Sequence, residues 1–381
     1  MLAQRTKAVL SDPYRWAKGI CLSVGLSLFS MNALAQVQQL HGFAAEDIEA
    51  SVATGVNPAG QIAGVVSDHE GKKHAVLYDG RLLRLQTLGG QESETAGINR
   101  DGLVIGSAET HRRHWHAFLY RQGEPMRDLG SLGGGSSFGI GINDAGQAVG
   151  MAQTSEGDFH AFGTTADGKM ADLGTLGGKV SNAAAINNRG EIVGASATVD
   201  DYRHAFLYRQ GAGMTDLGTL GGHSSAATGI NDAGWVVGAS DMPNRRWHAF
   251  LYDGRKMIDL GAMIGYGDSF ATGINAAGHV VGTIVLADER RTFVYRDGKI
   301  YVHHAGKALY LANGINDRGL VVGASYVTKR YTAAVMPATM APIVDHGREK
   351  ISMMSMFAVA VAAAAAIVRT AYLALARLER V

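Results

Sequence analysis

The sequence predicts an all-β fold: a seven-bladed β-propeller of four-stranded antiparallel blades, its last blade closed by an N-terminal strand. Three observations carry this expectation. An Asn-x-x-Gly turn, with a second Gly four residues further on, recurs at Asn57, Asn99, Asn143, Asn187, Asn231, Asn275 and Asn316. The steps between copies are 42, 44, 44, 44, 44 and 41 residues, a fixed period that marks a repeat architecture. Each unit divides into four short apolar segments, and the two ends of the repeat region are out of phase by one segment.

In the copy from Met214 to Gly261 the segments are Ala226–Ile230, Trp235–Ser240, His248–Tyr252 and Met257–Leu260. They are rich in Val, Ile, Phe, Tyr and Ala and bounded by Gly, Asn, Asp or Ser, the pattern of short antiparallel strands rather than helices. Asn231 to Gly234 reads as a tight hairpin with Gly at the positive-φ position. Gly238, inside a strand, marks a bulge or a close backbone approach. Strings such as HAFLY are apolar on both faces, so sheets should cover both sides of each unit, as in stacked propeller blades.

The ring closes on paper as well. The last copy supplies Leu311–Ile315, Leu320–Ser325 and Thr332–Met336 and then stops, while Val37–Leu40 precedes the first copy where a fourth strand would lie. Pairing the early segment with the three late ones completes a seventh blade and leaves no open edge at the seam. The alternative is an open, superhelical stack of the same units.

A chain of 381 residues with one cysteine, Cys21, can bury a core without disulfide or metal staples. Its 51 glycines are explained by the many turns without invoking disorder, and a formal charge of +1 gives bulk electrostatics no part in binding nucleic acid. Residues 1–35 have the layout of a signal peptide: Lys7, Arg15 and Lys18, an apolar run Gly19–Phe29, then Ala33-Leu34-Ala35 as a cleavage site. The expected location is therefore outside the cytoplasm, in the periplasm, at the cell surface or beyond. The Gly-Gly pairs in LGGQES, LGGGSS, LGGKVS and LGGHSS invite a phosphate-loop reading, but no helix and no Lys-Ser/Thr follows. They read instead as crossings between blades.

The first strands, expected to be innermost, carry small residues, and Glu94 is the only carboxylate near one. That argues against catalysis on the axis, which needs converging titratable groups. The third strand opens with His74, His116, His160, His204 and His248, then Thr292 and Thr332. One imidazole per blade puts neighbours roughly 10 Å or more apart, because packed sheets are about that far face to face. A shared ion needs about 2 Å per bond. These histidines, like the seven turn asparagines, are therefore expected to be structural, with no metal and no cofactor.

The loops entering the third strand hold the candidate binding residues. Arg112, Arg113 and Trp115, Tyr202 and Arg203, Arg245, Arg246 and Trp247, Arg290 and Arg291, and Lys329, Arg330 and Tyr331 should form a crown on one face. Guanidinium forks beside flat aromatics suit carboxylate, sulfate or phosphate groups on a sugar polymer. Acids in the same loops, among them Asp68, Glu109, Asp241 and Glu289, nearly cancel that charge, which leaves simple solvation as the competing explanation.

The strings Asp-Leu-Gly-Thr-Leu-Gly-Gly, Ile-Asn-x-x-Gly-x-Val-Val-Gly and His-Ala-Phe-Leu-Tyr resemble the HAF repeat, a family of extracellular repeats in bacteria. His-Ala-Phe itself stands at 116–118, 160–162, 204–206 and 248–250, and the resemblance covers nearly all of 36–337. It implies an exported protein and assigns no activity and no binding residue.

The propeller is expected over 36–340. Beyond it, 341–381 reads as a helical C-terminal tail in which 352–368 is apolar and Arg369, Arg377 and Arg380 follow. Seventeen apolar residues are near the lower limit for a spanning helix, so the tail is expected to be a membrane anchor or sorting segment, or else a helix packed on the ring or a disordered end. Together these features predict an exported monomer that binds, without catalysis, an acidic polysaccharide or an envelope protein. The rival class is a propeller enzyme, a polysaccharide lyase or hydrolase.

Overall fold

The computed structural model describes residues 38–40, 42–43, 45–303, 309–327 and 330–338. The leader 1–35, Val37, Lys329 and the tail 341–381 lie outside these residues. The described chain forms seven four-stranded antiparallel sheets, and six of them run in plain chain order from first to fourth strand. Blades 1 to 6 span 50–84, 89–128, 133–172, 177–216, 225–259 and 268–303. Blade 7 takes Leu311–Ile315, Leu320–Val327 and Arg330–Pro337. Against its third strand lies the pair Gln38–Gln39, antiparallel, with Gln38 opposite Val335 and Gln39 opposite Ala334. Every first strand touches the first strands of both neighbouring blades, blade 7 with blade 1 included, so these strands ring the axis.

The blade boundaries follow from local chemistry. In blade 5 the strands are Ser225–Ile230, Val236–Asp241, Trp247–Tyr252 and Met257–Asp259. Asn231 N donates to Trp235 O at 3.1 Å, and Gly234, with φ of 83°, turns the hairpin. Gly238 owes its place to close approach: a Cβ there would stand 2.0 Å from Ala226 O and 2.9 Å from Phe250 Cε1. The register shift lies on the opposite strand, between Ala227 and Gly229. After blade 5 the crossing departs from the others. Where the sequence changes to LGAMIGYG it makes a single helical turn, α1 (Leu260–Ile264), capped by Asp259 and ended at Gly265. The fourth strand therefore stops one residue short of Leu260.

The core is divided among the blade interfaces. Phe118, Phe162, Phe206, Phe250 and Phe293 are fully buried, and Phe118 packs on Ala63, Leu77 and Leu85 of the blade before it. Burying each such ring contributes about 1.5–3 kcal/mol. Blade 1 has Val76 at this position, and a residue from ahead of the blade compensates. Phe43, 1% exposed, lies against Gly64 as Phe118 lies against Gly106, and it packs with Val322 and Ala333 of blade 7.

Turns from first to second strand share one face of the disc, here the Asn face; loops from second to third strand share the other, the crown face. The third strand of blade 7 ends on the Asn face, where Ala338 N donates to Gly319 O at 2.7 Å.

Candidate functional site

Crown loops in five blades are built alike. In blade 2, Thr110 N donates to His114 O at 2.8 Å and Arg113 N to Thr110 O at 2.9 Å; in blade 5, Met242 N donates to Arg246 O and Arg245 N to Met242 O, both at 2.8 Å. The fourth residue of this turn needs a left-handed backbone. Gly71 and Gly157 supply it in blades 1 and 3, whereas Arg113 (φ 61°), Asp201 (φ 62°) and Arg245 (φ 64°) adopt it with a side chain. Arg112, Arg113 and Arg245 are exposed, and among the described residues their guanidiniums make no hydrogen bond or ion pair.

The other crown residues have partners. Trp115 stacks on Phe138 of the next blade at 6.3 Å and Trp247 on Phe270 at 6.1 Å, so both are half-buried wedges between blades. Tyr202, 44% exposed, stacks on His223 at 4.8 Å. Arg203 bonds Asn182. Although that residue as a whole is open to solvent, desolvation of its guanidinium pulls its pKa below the ordinary value. Arg246 donates to Gly267 O and lies 4.0 Å from Asp268. Arg291 is bonded to Glu289 and sits 5.6 Å from the Tyr266 ring. Burial alone would lower the Arg291 pKa, but Tyr266 and Glu289 raise it. Arg330 is 3.5 Å from Glu49, and Lys73 is 3.0 Å from Glu94, the one carboxylate expected near the axis. Tyr331 joins Tyr310 and Tyr326, with Arg290 5.3 Å from the Tyr310 ring centroid.

The repeated histidines each face a carboxylate of their own blade. Nδ1 of His116, His160, His204 and His248 lies 2.9, 2.8, 2.7 and 2.9 Å from Asp128, Asp172, Asp216 and Asp259. These aspartates also accept backbone N–H groups just beyond the strand, Gly130 N at 2.7 Å and Gly174 N at 2.8 Å among them. Blade 1 lacks an aspartate in its fourth strand, and His74 Nε2 turns instead to Asp68 at 2.9 Å. That bond holds the Asp68 carboxyl below its ordinary pKa. In blade 6 the register puts Arg291, not the expected Thr292, at the histidine position, and Thr292, at the position of Ala249, donates to Leu309 O at 2.6 Å. Among the described residues no group of three or more His, Cys, Asp or Glu is placed to hold a metal ion.

On the Asn face the asparagines do more than turn the chain. Each Nδ2 donates to the main-chain oxygen of the corresponding asparagine one blade on, from Asn57 to Asn99 at 3.2 Å through Asn275 to Asn316 at 3.2 Å. Around the axis, Thr228 and Thr272 donate to Ala271 O and Ala312 O of the following blade. The polar groups of the central strands are thus engaged in joining blades. Among the described residues, exposed guanidiniums without a partner stand on both faces, Arg81, Arg255 and Arg318 on the Asn face and Arg112, Arg113 and Arg245 on the crown, where aromatic residues in the same loops suit an anionic, ring-containing ligand.

Sequence reasoning missed Tyr310, Tyr326, Tyr266 and His223. Aligning the repeats by register offers a signal for the first of these: Tyr310 occupies the position held by Ser51, Ser93, Ser137, Ser181, Ser225 and Ser269 in the other blades.

No family model matches the sequence, and no curated protein matches it either. Solved structures do. The β-propeller domain of the Trilobed protease from Pyrococcus furiosus superposes with a TM-score of 0.55 at 10% identity, over 75% of this chain and 96% of that one. A puromycin-hydrolyzing peptidase of Mycobacterium tuberculosis gives 0.52 at 11% identity, over 85% of this chain and 54% of that one. An acylaminoacyl peptidase of Pyrococcus horikoshii gives 0.51 at 11% identity, over 77% and 53%. The likeness is one of fold. This chain spans about half the length of either peptidase. The Pyrococcus furiosus domain is described as having an open velcro topology, whereas here Gln38–Gln39 lies against the third strand of blade 7.

Proposed function

We propose that the chain is an exported, non-catalytic binding module of the HAF-repeat kind whose crown face takes an acidic envelope or extracellular polysaccharide. The observation that carries this reading is the trio Arg112, Arg113 and Arg245. All three are exposed and unpaired among the described residues, and two sit in left-handed backbone where sister blades have glycine. A side chain in that conformation costs about 1–2 kcal/mol, and strain of this sort collects at functional positions. A planar fork without a protein partner is ready for a carboxylate, and each charge-assisted bond is worth about 1.5–3 kcal/mol.

The same reading has Gln38–Gln39 close the ring as the fourth strand of blade 7, residues 1–35 direct export, and the apolar run 352–368 tether the chain. Since the described chain leaves blade 7 at Ala338 on the Asn face, a tethered propeller would present its crown away from the membrane.

The test is a binding screen of the full chain against acidic and neutral polysaccharides and envelope fractions, with Arg112→Ala/Arg113→Ala/Arg245→Ala alongside. At least a tenfold loss of binding to one acidic polymer, with an unchanged melting temperature, is expected. Equal binding by both proteins removes the crown. Capture that protease treatment of the envelope fraction abolishes points to a protein partner instead, and release of shortened polymer makes the chain a lyase or hydrolase.

A further inference from the structure

We infer that the crown of blade 7 carries an aromatic subsite for a single acidic sugar ring, formed by Tyr310 and Tyr326 with Tyr331 and served by Arg290. The inference rests on the crown reading above and narrows it to one sector of the ring.

The three tyrosine rings form a closed triangle, with centroids 5.3 Å (Tyr310–Tyr326), 5.7 Å (Tyr310–Tyr331) and 5.0 Å (Tyr326–Tyr331) apart. Their planes are tilted by 35°, 59° and 51°, so none of the three is stacked parallel on another. Tyr326 is 49% exposed, a little more than Tyr202 at 44%, whereas the described phenylalanines are all buried. Tyrosine offers a flat apolar face and a polar rim at little loss of side-chain freedom, a combination suited to a sugar ring with an apolar face and hydroxyl edges.

The repeat supplies its own control. In the other blades the residue at the Tyr310 position is a serine that works for the fold: Ser93, Ser137, Ser181, Ser225 and Ser269 each accept an Ala N–H from the third strand of the preceding blade, and Ser51 accepts Ala333 N at 2.9 Å across the seam. Blade 7 gives up that bond, and blade 6 bonds the incoming chain through Thr292 and Leu309 O instead. At the Tyr326 position the other blades hold Ser67, Glu109, Gln153, Ala197, Asp241 and Val285. Two departures from the repeat in one blade meet at one surface spot.

Charge decides the class of ligand. Arg290 holds its guanidinium 5.3 Å from the Tyr310 centroid, and among the described residues no carboxylate pairs with it. An aromatic cluster alone would suit a quaternary ammonium group, but a fixed guanidinium beside it repels a cation and attracts an anion. Held by a ring rather than by an acid, the guanidinium keeps its donors free for a carboxylate. A uronic acid fits both requirements: its ring lies on tyrosine and its carboxylate reaches Arg290. Arg330, 3.5 Å from Glu49, is partly neutralised and adds less.

The experiment takes hexasaccharides cut from the acidic polymer that the full chain binds tightest, and the same hexasaccharides as neutral methyl esters, and measures affinity by calorimetry. The wild-type chain should bind the acid form and lose at least tenfold on the ester. Tyr310→Ser with Tyr326→Ala should lower affinity for the acid form at least tenfold. Arg290→Gln, at a surface position that leaves the rings in place, should lower it and erase the difference between acid and ester. Wild-type binding that neither variant changes overturns the blade 7 subsite and leaves the crown reading intact. A wild-type chain that binds no acidic glycan overturns both. Should the tyrosine variant fail to fold, Arg290→Gln alone still decides.

Discussion

Asn316 Nδ2 donates to the main-chain oxygen of Asn57 at 3.1 Å, across the gap between the last blade and the first. It is the seventh bond of a cycle in which each turn asparagine holds the next, and the same side chain accepts Arg318 N at 3.0 Å and Leu320 N at 2.9 Å through Oδ1. The residue is 6% exposed; removing its side chain takes one of two bonds from the buried Asn57 carbonyl, which keeps Gly60 N at 3.0 Å, and leaves the part-buried Arg318 N and Leu320 N without this acceptor. Asn316→Ala should lower stability by about 1–3 kcal/mol, measured as a shift in the urea midpoint. Asn316→Asp keeps the acceptor but turns a carboxylate toward Asn57 O, and it should be the more damaging of the two. A loss within a few tenths of a kcal/mol for both would mean that the cycle does not hold the ring.

The His116–Asp128 pair gives stability a pH dependence whose sign can be worked out. The bond to Asp128 raises His116 above its ordinary value of 6.5 despite some desolvation. That contribution is fully present below about pH 6.5, the unfolded value, and is lost as pH rises through the folded one. Burial pushes the Asp128 carboxyl up, yet the bonds from His116 and Gly130 bring it net below 3.8. Its contribution is present above about pH 3.8 and is lost as pH falls through the folded value. His116→Gln should therefore destabilise most near pH 5 and least near pH 9. The pair is partly exposed, so the difference should be only about 0.5–1 kcal/mol. Melting curves of both proteins at the two pH values check it, and an equal loss at pH 5 and pH 9 would remove the linkage.

Much of the fold was legible because a repeat shows the same physics seven times. The turn at Asn231 to Gly234 and the continuous apolar run of His248–Tyr252 need only local chemistry, and their strands fall within a residue of expectation. What the sequence concealed are interactions that join one blade to another. The Asn231 side chain reads as a turn former, but its amide reaches Asn275 O of the following blade, and no spacing within a unit reveals that. Trp115 and Trp247 read as flat aromatics beside the crown arginines, yet Phe138 and Phe270 of the next blade take up one face of each. Phe43 lies outside the repeat and shows its purpose only when Gly64 and Val322 are seen beside it. Arg112 and Arg113 lie in the loop between the second and third strands of blade 2, and that they have no partner among the described residues is a fact of three dimensions.

Arg113 and Arg245 separate stability from binding. At φ of 61° and 64° each carries strain that Gly71 and Gly157 avoid at the same turn. Arg113→Gly and Arg245→Gly should each raise stability by about 0.5–1 kcal/mol, the relief of the left-handed backbone less the greater freedom of glycine in the unfolded chain. The same variants should weaken binding to the acidic polymer. Thermal melts and the binding screen, run on one preparation, check both directions. A variant that melts lower than wild type would show that the arginine side chain supports the turn, and the strain would then say nothing about function.

Closure by the early strand has a covalent test. Gln39 stands opposite Ala334, and the neighbouring pair bonds through Leu40 N to Ala333 O at 3.1 Å. Narrow and wide pairs alternate along an antiparallel ladder, so 39 and 334 fall at a non-hydrogen-bonded pair, where Cα atoms are about 4.5 Å apart. That separation is within disulfide range. Cys21 is the chain's only cysteine, and Cys21→Ser leaves none to compete. In that background, Gln39→Cys with Ala334→Cys should form one intramolecular bond on oxidation, seen as faster migration in a non-reducing gel and as a lone cross-linked peptide by mass spectrometry. Because the bond encloses almost the whole ring, the chain-entropy model gives a gain of up to about 5 kcal/mol in the oxidised form. Strain at the buried Ala334 will reduce that figure. Free thiols that persist under oxidant, or disulfides only between molecules, would place the early segment away from blade 7 and leave the seam to bonds between blades 7 and 1, from Asn316 to Asn57 O, Asn313 to Ala53 O and Ala333 N to Ser51.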